Sequence, residues 1–309
     1  MTGSESTSAT SSGAGLGARL KSLVPPAARD AVKPAVRGAA QLSAPLRPPP
    51  DFLIIGAKRG GTTSTWNWLL QHPGVLPLVP AMQNLKSSHY FSIHYGKSPG
   101  WFRGFFPLAS TRALIRARHH LNPVAGEASP YYLFDPRIAA RVANELPGVR
   151  AIVVLRDPVE RAYSHHQERT KEGVETLSFR DALAAEPDRL AGELARMDAD
   201  PAYYSEPHDW FAYRERGVYA PQLARWREHL PESRILVLQS EELYGDPAST
   251  YLRITRFLGL PDHPLRAPKR HNYLPAAPMP ADVRADLTSY YRAPNAELAD
   301  LWGHDPHWS

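Results

Sequence analysis

Short apolar runs alternate with longer segments of helical periodicity from Asp51 onward. The runs have β-branched and other apolar residues at successive positions, which is typical of strands buried on both faces of a parallel sheet. They predict strands at Phe52–Ile55, Val75–Leu78, Ala151–Leu155 and Ile235–Leu238, and a weaker strand before Glu127. The segments between them predict helices at Thr63–Gln71, Pro136–Leu146, Pro158–Thr170, Tyr219–Leu230 and Pro247–Leu258.

This alternation of strands and helices predicts an α/β protein with three layers, in which a central parallel sheet is flanked by helices. Residues 171–215 interrupt the pattern, because they are polar and rich in Glu, Ala and Asp. We interpret them as a helical excursion or a lid over the functional site.

Residues 1–50 differ in composition from the rest of the chain. They open with a Ser/Thr/Gly tract and end with Pro48-Pro49-Pro50, and between them lies a stretch rich in Ala, Arg and Lys. A basic helix on a membrane surface is conceivable there, but three prolines would interrupt it. The composition predicts a disordered tail over residues 1–50.

Composition excludes several classes of protein. The 309 residues include no Cys, which rules out disulfides, thiolate metal sites and cysteine nucleophiles. No apolar run reaches the ~20 residues of a membrane helix, and the polar start lacks a secretory signal, so we expect a cytoplasmic protein without stable membrane insertion. The net charge of +5 favours anionic ligands, and the dispersed basic residues argue against nucleic acid.

The segment after the first predicted strand has the pattern of a phosphate-binding loop. The strand runs into Gly56-Ala-Lys-Arg-Gly-Gly61, and the next helix begins with hydroxyl side chains. Glycines let backbone N–H groups converge on an anion, and the helix N-terminus adds the positive end of its dipole. The loop therefore makes the predicted fold P-loop-like.

The loop departs from the nucleoside triphosphatase pattern, G-x-x-x-x-G-K-[ST], at one position. Thr62 stands where that pattern has Lys, and the positive charges of Lys58 and Arg59 lie inside the loop instead. This change would cost a triphosphate site its key cation. It suits a loop that grips a single terminal group beyond one 5′-phosphate.

A second candidate site follows the strand at Ala151–Leu155. Arg156 lies at the carboxyl end of that strand, where open α/β sheets bind ligands, and Ser164 lies two turns into the next helix. Asp157 and Glu160 have the pattern of a helix capping box, which accounts for both without a catalytic role. Arg156 alone is equally consistent with a surface salt bridge, but together with the loop it indicates a ligand with two separated phosphate groups.

The two sites together resemble the donor-binding elements of sulfotransferases that use 3′-phosphoadenosine 5′-phosphosulfate (PAPS). The similarity is to the carbohydrate and heparan-sulfate type and its bacterial relatives. It implies one sulfotransferase domain over residues 51–309, with PAPS as donor, 3′,5′-PAP as product and no metal. The reaction would move a sulfuryl group to an acceptor hydroxyl on a sugar, or on a secondary metabolite or lipid.

The resemblance also implies which residues bind the donor. Arg59 stands where the family has its catalytic Lys, Lys58 would join it in stabilising the leaving phosphate, and Arg156 and Ser164 resemble the 3′-phosphate clamp. The implied donor-binding residues are Lys58, Arg59, Gly60, Gly61, Thr62, Thr63, Ser64, Arg156, Ser164, Tyr219, Lys269 and Arg270.

The general base is the point at which the chain departs from the family. Heparan-type members carry Lys-Glu-x-His-Phe-Phe with the Glu as base, whereas this chain has Ser87 in place of that Glu. We expect His89 to be the base, because an unperturbed imidazole titrates near neutral pH, although a packed histidine is nearly as consistent with the sequence. Glu127 is the second candidate.

Two other functions remain open on the sequence. A P-loop kinase or triphosphatase would share the loop and the sheet, and is disfavoured by Thr62. A non-catalytic module would bind PAPS or PAP and transfer nothing, since the usual base is absent at Ser87. The pairs His119-His120 and His165-His166 do not indicate a metal site, because adjacent helical residues point about 100° apart.

Overall fold

The central sheet is parallel throughout. The computed structural model describes residues 38–80, 85–271 and 278–308. Its strands are β1 (Phe52–Gly56), β2 (Val75–Leu76), β3 (Val124–Ala128), β4 (Arg150–Leu155) and β5 (Ile235–Gln239). Their order is β2-β3-β1-β4-β5, and each neighbouring pair is parallel.

Strand β1 lies at the centre of this order, where Leu53 has Glu127 of β3 on one side and Ala151 of β4 on the other. The chain fills one side of β1 with β2 and β3, and then the other side with β4 and β5. Open α/β sheets bind ligands at the carboxyl ends of strands where the order reverses in this way. The loops after β1 and β4 meet at that point.

Helices flank the sheet. Their bounds are α1 (Thr62–Leu69), α2 (Pro99–Arg103), α3 (Ala109–His119), α4 (Ile138–Glu145), α5 (Pro158–Lys171), α6 (Phe179–Leu190), α7 (Glu193–Ala199), α8 (Glu206–Trp210), α9 (Tyr219–His229), α10 (Ser240–Gly245), α11 (Pro247–Phe257) and α12 (Ala281–Trp302). Helix α1 packs on β1 and α11, whereas α9 packs on α4 and α12, and α12 packs on α5. These separate helix groups confirm the predicted three-layer α/β fold.

The burial of the strands explains why their sequences are continuously apolar. All five residues of β1 and the last five of β4 are buried, as expected for a parallel sheet covered on both faces. Two predicted strands differ in extent. The strand expected at Val75–Leu78 ends at Leu76, next to Pro77, which has no N–H to donate to a ladder. The weak strand expected before Glu127 includes that residue.

The excursion between α5 and α9 is helical, as predicted. It contains α6, α7 and α8, and its last helix, α8, ends beside the functional site. The excursion therefore adds the side chain of Asp209 to that site from a segment far away in sequence.

The predicted disordered tail lies mostly outside the described residues. Residues 38–50 are described, and they pack on the domain: Ala40 and Ala44 are buried, and the Arg47 guanidinium donates to the carbonyl of Phe106. The disorder predicted for residues 1–37 stays a prediction. In the part of the chain that the structure describes, no helix is both long and apolar enough to span a membrane.

Candidate active site

The loop between β1 and α1 packs closely on the neighbouring strand. A Cβ at Gly60 would clash with the carbonyl oxygen of Val154 in β4. Gly61 has a backbone φ of 117°, which residues other than glycine rarely adopt. Gly61 is the N-cap of α1 and provides no side-chain cap. The positive end of the α1 dipole therefore lies at the site, together with Thr62 and Thr63.

The loops after β1 and β4 line one cleft, and most of its charged side chains are cations. Six cationic side chains line it: Lys58, Arg59, Lys86, Arg156, Arg169 and Arg270. Two carboxylates, Glu168 and Asp209, also line it. We call Lys58, Arg59 and Lys86 the loop end of the cleft, and Arg156 and Arg270 the clamp end. Such a surplus of positive charge suits an anionic ligand.

Lys58 is a largely buried cation at the loop end. Its Nζ lies 3.5 Å from Oδ1 of Asp209, which belongs to α8 in the excursion. Burial lowers the pKa of Lys58 to about 8, although the Asp209 carboxylate raises it. Burial also opposes ionisation of Asp209, but Lys58 and Arg216 outweigh it and hold the pKa of Asp209 far below its usual range. Asp209 is therefore a charged structural partner rather than a base.

Arg59 joins the two sites that the sequence analysis treated separately. Its Nε donates to Oγ of Ser164 at 3.0 Å, and its NH1 donates to Oε1 of Glu168 at 2.7 Å. Arg59 also has a φ of 70°, an uncommon conformation for a residue other than glycine. Strained backbone of this kind is characteristic of functional sites, so the loop holds Arg59 in a fixed position against α5.

Arg156 lines the cleft at the clamp end, and its backbone is fixed from α9. Its NH1 lies 3.5 Å from the carbonyl of Arg59 and its NH2 lies 3.7 Å from Glu160, and burial lowers the pKa of Arg156. Tyr219 donates to the carbonyl of Arg156 at 2.8 Å. Tyr219 itself does not line the cleft, so it positions Arg156.

The predicted capping box at the start of α5 is only half correct. Asp157 accepts from the backbone N–H of Val159 at 2.8 Å, as a cap should. Glu160 does not complete the box, because Oε1 of Glu241 takes the backbone N–H of Asp157, while Glu160 pairs with Arg284 at 2.6 Å.

The segment around Arg270 lies against α1 through its backbone. Arg270 lines the cleft with its guanidinium 4.4 Å from the ring centre of Tyr244. Lys269 does not line the cleft, and its carbonyl accepts from Nε1 of Trp68. Ser64 is fully buried, where its Oγ accepts from the N–H of His271 and contacts the hydroxyl of Tyr244. Ser64 therefore fixes the clamp end to α1 and does not line the cleft.

The two candidates for the base differ sharply in position. His89 lines the cleft, has a φ of 54°, and has its Nδ1 3.4 Å from Oγ of Ser129. Burial lowers the pKa of His89, so the ring is neutral at neutral pH. Glu127 lies in β3 with no exposed surface and does not line the cleft.

The hydrogen bonds of the Glu127 side chain run to Ser88, which precedes His89, and to Tyr132. Glu127 accepts from the backbone and side chain of Ser88, both at 2.6 Å, and from the hydroxyl of Tyr132 at 2.7 Å. Burial raises the pKa of Glu127 against these hydrogen bonds. Its geometry fits a positioning role.

The cleft thus brings together nine of the predicted site residues: Lys58, Arg59, Gly61, Thr62, Thr63, His89, Arg156, Ser164 and Arg270. Five predicted residues lie next to it without lining it: Gly60, Ser64, Glu127, Tyr219 and Lys269. Within the described residues, no group of His, Asp and Glu could hold a metal ion.

Sequence reasoning missed four charged residues of the cleft: Lys86, Glu168, Arg169 and Asp209. Lys86 donates to Oγ1 of Thr63 at 2.8 Å, and burial lowers its pKa. Glu168 lies four residues after Ser164 on α5, so helical periodicity could have placed it on the same face. Asp209 comes from the excursion, and no local pattern links it to Lys58.

The chain is similar in sequence to known proteins. The sequence model of the family described as "Sulfotransferase domain" matches residues 49–274. The chain is 27% identical over 286 residues to the human "Bifunctional heparan sulfate N-deacetylase/N-sulfotransferase 3", which covers 82% of this chain and 30% of that protein. It is 29% identical over 249 residues to the "Heparan sulfate glucosamine 3-O-sulfotransferase 6" of Mus musculus, over 74% of this chain and 64% of that protein.

A solved structure is also similar. The crystal structure of a sulfotransferase from Alicyclobacillus acidocaldarius matches with a TM-score of 0.63 and 29% identity, over 84% of this chain and 97% of that one. The present chain thus spans almost all of that bacterial protein, but only about 30% of the length of the human relative.

Proposed function

The chain belongs to the sulfotransferase domain family, and on this premise we propose that it transfers a sulfuryl group from PAPS to an acceptor hydroxyl. The observation that carries the donor assignment is one cleft lined by cations from the loops that follow two strands, Lys58 and Arg59 after β1 and Arg156 after β4. PAPS carries two separate anionic groups, the 5′-phosphosulfate and the 3′-phosphate. A ligand with one phosphate would leave one end of the cleft without a partner.

The residues of the cleft fit this donor. Lys58, Arg59 and the N-terminus of α1 would hold the 5′-phosphosulfate, and Gly61 keeps the backbone there free of a Cβ. Arg156 and Arg270 would hold the 3′-phosphate. The group that leaves is a phosphate, and fixed cations stabilise negative charge that develops on it. Lys58 and Arg59 would supply these cations.

His89 is the proposed base. As the acceptor oxygen bonds to sulfur and the bond from sulfur to the 5′-phosphate oxygen breaks, the acceptor proton would pass to the imidazole. A neutral ring is required, and burial favours it by lowering the pKa of His89. Ser129 contacts Nδ1, which orients the ring and leaves Nε2 for the acceptor. Glu127 supports this base through Ser88.

A carbohydrate hydroxyl is the proposed acceptor. The support is the similarity to proteins named as heparan sulfate sulfotransferases. Tyr131 and Arg169 also line the cleft, and an aromatic ring can contact a sugar while a cation contacts its anionic substituents. Desulfated heparin oligosaccharides are therefore the first acceptors to test.

The kinase alternative has less support. Its loop cation is replaced by Thr62, and Asp157 caps α5 instead of facing a magnesium ion. The non-catalytic alternative would require that His89 does not act as a base, so it is separated from the proposal by turnover rather than by binding.

The deciding experiment is calorimetric titration of the purified chain with PAP and, separately, with ATP and magnesium. We expect PAP to bind tightly and ATP to bind at least tenfold more weakly, because ATP has no 3′-phosphate for the clamp end. A preference for ATP with magnesium would overturn the donor assignment. PAP binding without sulfuryl transfer to any desulfated oligosaccharide would favour the non-catalytic module.

A further inference from the structure

Two side chains on one face of α5 hold Arg59. Ser164 accepts from Nε of Arg59, and Glu168, one helical turn later, accepts from NH1 at 2.7 Å. The Arg59 side chain is 8% exposed and that of Glu168 is 19% exposed. A guanidinium–carboxylate contact this short and this sheltered from water is much stronger than a surface ion pair.

Glu168 differs from the other carboxylate of the cleft in its bonding. Asp209 is engaged by Lys58, Arg216 and Tyr204. The second oxygen of Glu168, Oε2, is buried and accepts no hydrogen bond from the described residues, and its nearest cation is NH2 of Arg169 at 3.6 Å. Among the described residues, Arg59 therefore gives the Glu168 carboxylate its short hydrogen bond, at Oε1.

We propose that Glu168 is a positioning residue that competes with the anionic end of the donor for the guanidinium of Arg59. The inference rests on the proposed function, because it takes Arg59 as a contact of the 5′-phosphosulfate. Carboxylates and phosphates use the same planar fork of guanidinium donors. Every hydrogen bond that Arg59 gives to Glu168 is therefore one fewer for the donor, and the charge of Glu168 also repels it.

This competition has two opposite effects. Glu168 holds the Arg59 side chain along α5, which orients it at the loop end and favours catalysis. The same contact weakens the binding of PAPS and of the product PAP. A purely structural residue would change both quantities for the worse when altered, whereas Glu168 should change them in opposite directions.

The test is Glu168→Gln, which keeps the size of the side chain and removes its charge. We expect PAP to bind about 3- to 30-fold more tightly in calorimetry. At saturating PAPS we expect kcat to fall at least about tenfold, because the neutral amide holds Arg59 less firmly. Glu168→Asp restores the charge, so its PAP affinity should return towards that of the unaltered chain.

The matched control is Glu172→Gln, one turn further along α5. Glu172 pairs with Arg169, is 47% exposed and does not line the cleft. The same loss of charge there should change PAP affinity less than about twofold, since exposed charges are screened.

A double variant separates competition for Arg59 from general repulsion. In an Arg59→Met background, the gain in PAP affinity on Glu168→Gln should shrink to the level of the Glu172 control. A gain that persists undiminished would overturn the inference, and so would unchanged or weaker PAP binding by Glu168→Gln with an unchanged Tm. Either result leaves the proposed function standing, because the unaltered chain still binds PAP. Failure of that chain to bind PAP would overturn the proposed function first.

Discussion

At the loop end of the cleft, Lys58 and Arg59 face carboxylates that are 14% and 19% exposed, at 3.5 and 2.7 Å. At the clamp end, Arg156 faces Glu160, which is 36% exposed, at 3.7 Å. At the loop end, Lys58 and Arg59 are thus held by largely buried carboxylates. At the clamp end, the ion pair between Arg156 and Glu160 is longer and more exposed, so water can screen it. Fixed cations suit the stabilisation of charge that develops during a reaction. Loosely paired cations can be used for binding.

On the proposed function, we therefore expect the loop end to serve catalysis and the clamp end to serve affinity. Substitutions at the loop end should lower kcat more than they weaken PAP binding. Substitutions at the clamp end should do the reverse.

The largest effect is expected from His89→Gln, on the catalytic side of the comparison. Loss of a general base usually costs roughly 10²- to 10⁴-fold in rate, so kcat with PAPS and desulfated heparin should fall by that factor. PAP affinity should change less than about twofold. The control is His94→Gln, because His94 lies in the same segment, packs on Trp101 and does not line the cleft.

The pH profile sharpens the same prediction. The base acts when neutral, and burial lowers the pKa of His89 below the usual 6.5, so kcat/KM should be flat through neutral pH and fall only in acid. The residual activity of His89→Gln should lack this acid limb. Full activity in the variant would show that His89 is not the base.

The second effect belongs to the clamp end. Arg156→Ala should weaken PAP binding about 10- to 100-fold, because it would remove the proposed charge-assisted hydrogen bonds to the 3′-phosphate, each worth about 1.5–3 kcal/mol. Calorimetry with adenosine 5′-monophosphate, which lacks the 3′-phosphate, should show little change. Arg150→Ala is the matched protein control, since Arg150 begins the same strand that Arg156 follows. Equal losses for PAP and the monophosphate would contradict the assignment.

The third effect concerns stability. It tests whether Glu127 acts as a base or only holds the segment that carries His89. Glu127→Gln places an amide NH2 against donors from Ser88 or Tyr132, so the free energy of unfolding should fall by about 1–3 kcal/mol. Denaturant unfolding measures this loss. At a temperature where the variant is folded, kcat should stay within about threefold of the unaltered chain. A fall as large as that of His89→Gln would return Glu127 to the list of bases.

Sequence alone predicted most of the fold because its signals are local. Continuous β-branched runs followed by glycine or capping residues fix the strands, the starts of the helices and the loop. The same locality explains why Lys58, Arg59 and Arg156 could be identified as candidates, since each lies within three residues of the end of a strand.

The rest of the site depends on contacts that no local pattern contains. Asp209 reaches Lys58 across 151 residues, and Glu127 looked like a site residue although it bonds inward to Ser88 and Tyr132. Whether a polar residue at a strand end points into the cleft or away from it is decided by its neighbours in space. A single sequence does not specify those neighbours.

The smallest expected effect is the uptake of a fraction of a proton when PAP binds at the loop end. Burial lowers the pKa of Lys58 to about 8, and a bound anion favours the charged form, so PAP should raise this pKa and take up a fraction of a proton near pH 8. PAP affinity should then fall about three- to tenfold as the pH rises above about 8, since one unit of pKa corresponds to a tenfold change. Calorimetry in two buffers with different protonation enthalpies measures the uptake, and the phosphates of PAP do not interfere because they ionise near pH 6.

Lys58→Arg keeps the charge without titrating, so it should bind PAP with no proton uptake and with no loss of affinity in this range. Tight binding by the unaltered chain without proton uptake would mean that Lys58 is fully charged before the donor arrives, and the contrast between a sheltered loop end and a screened clamp end would then rest on Arg59 alone.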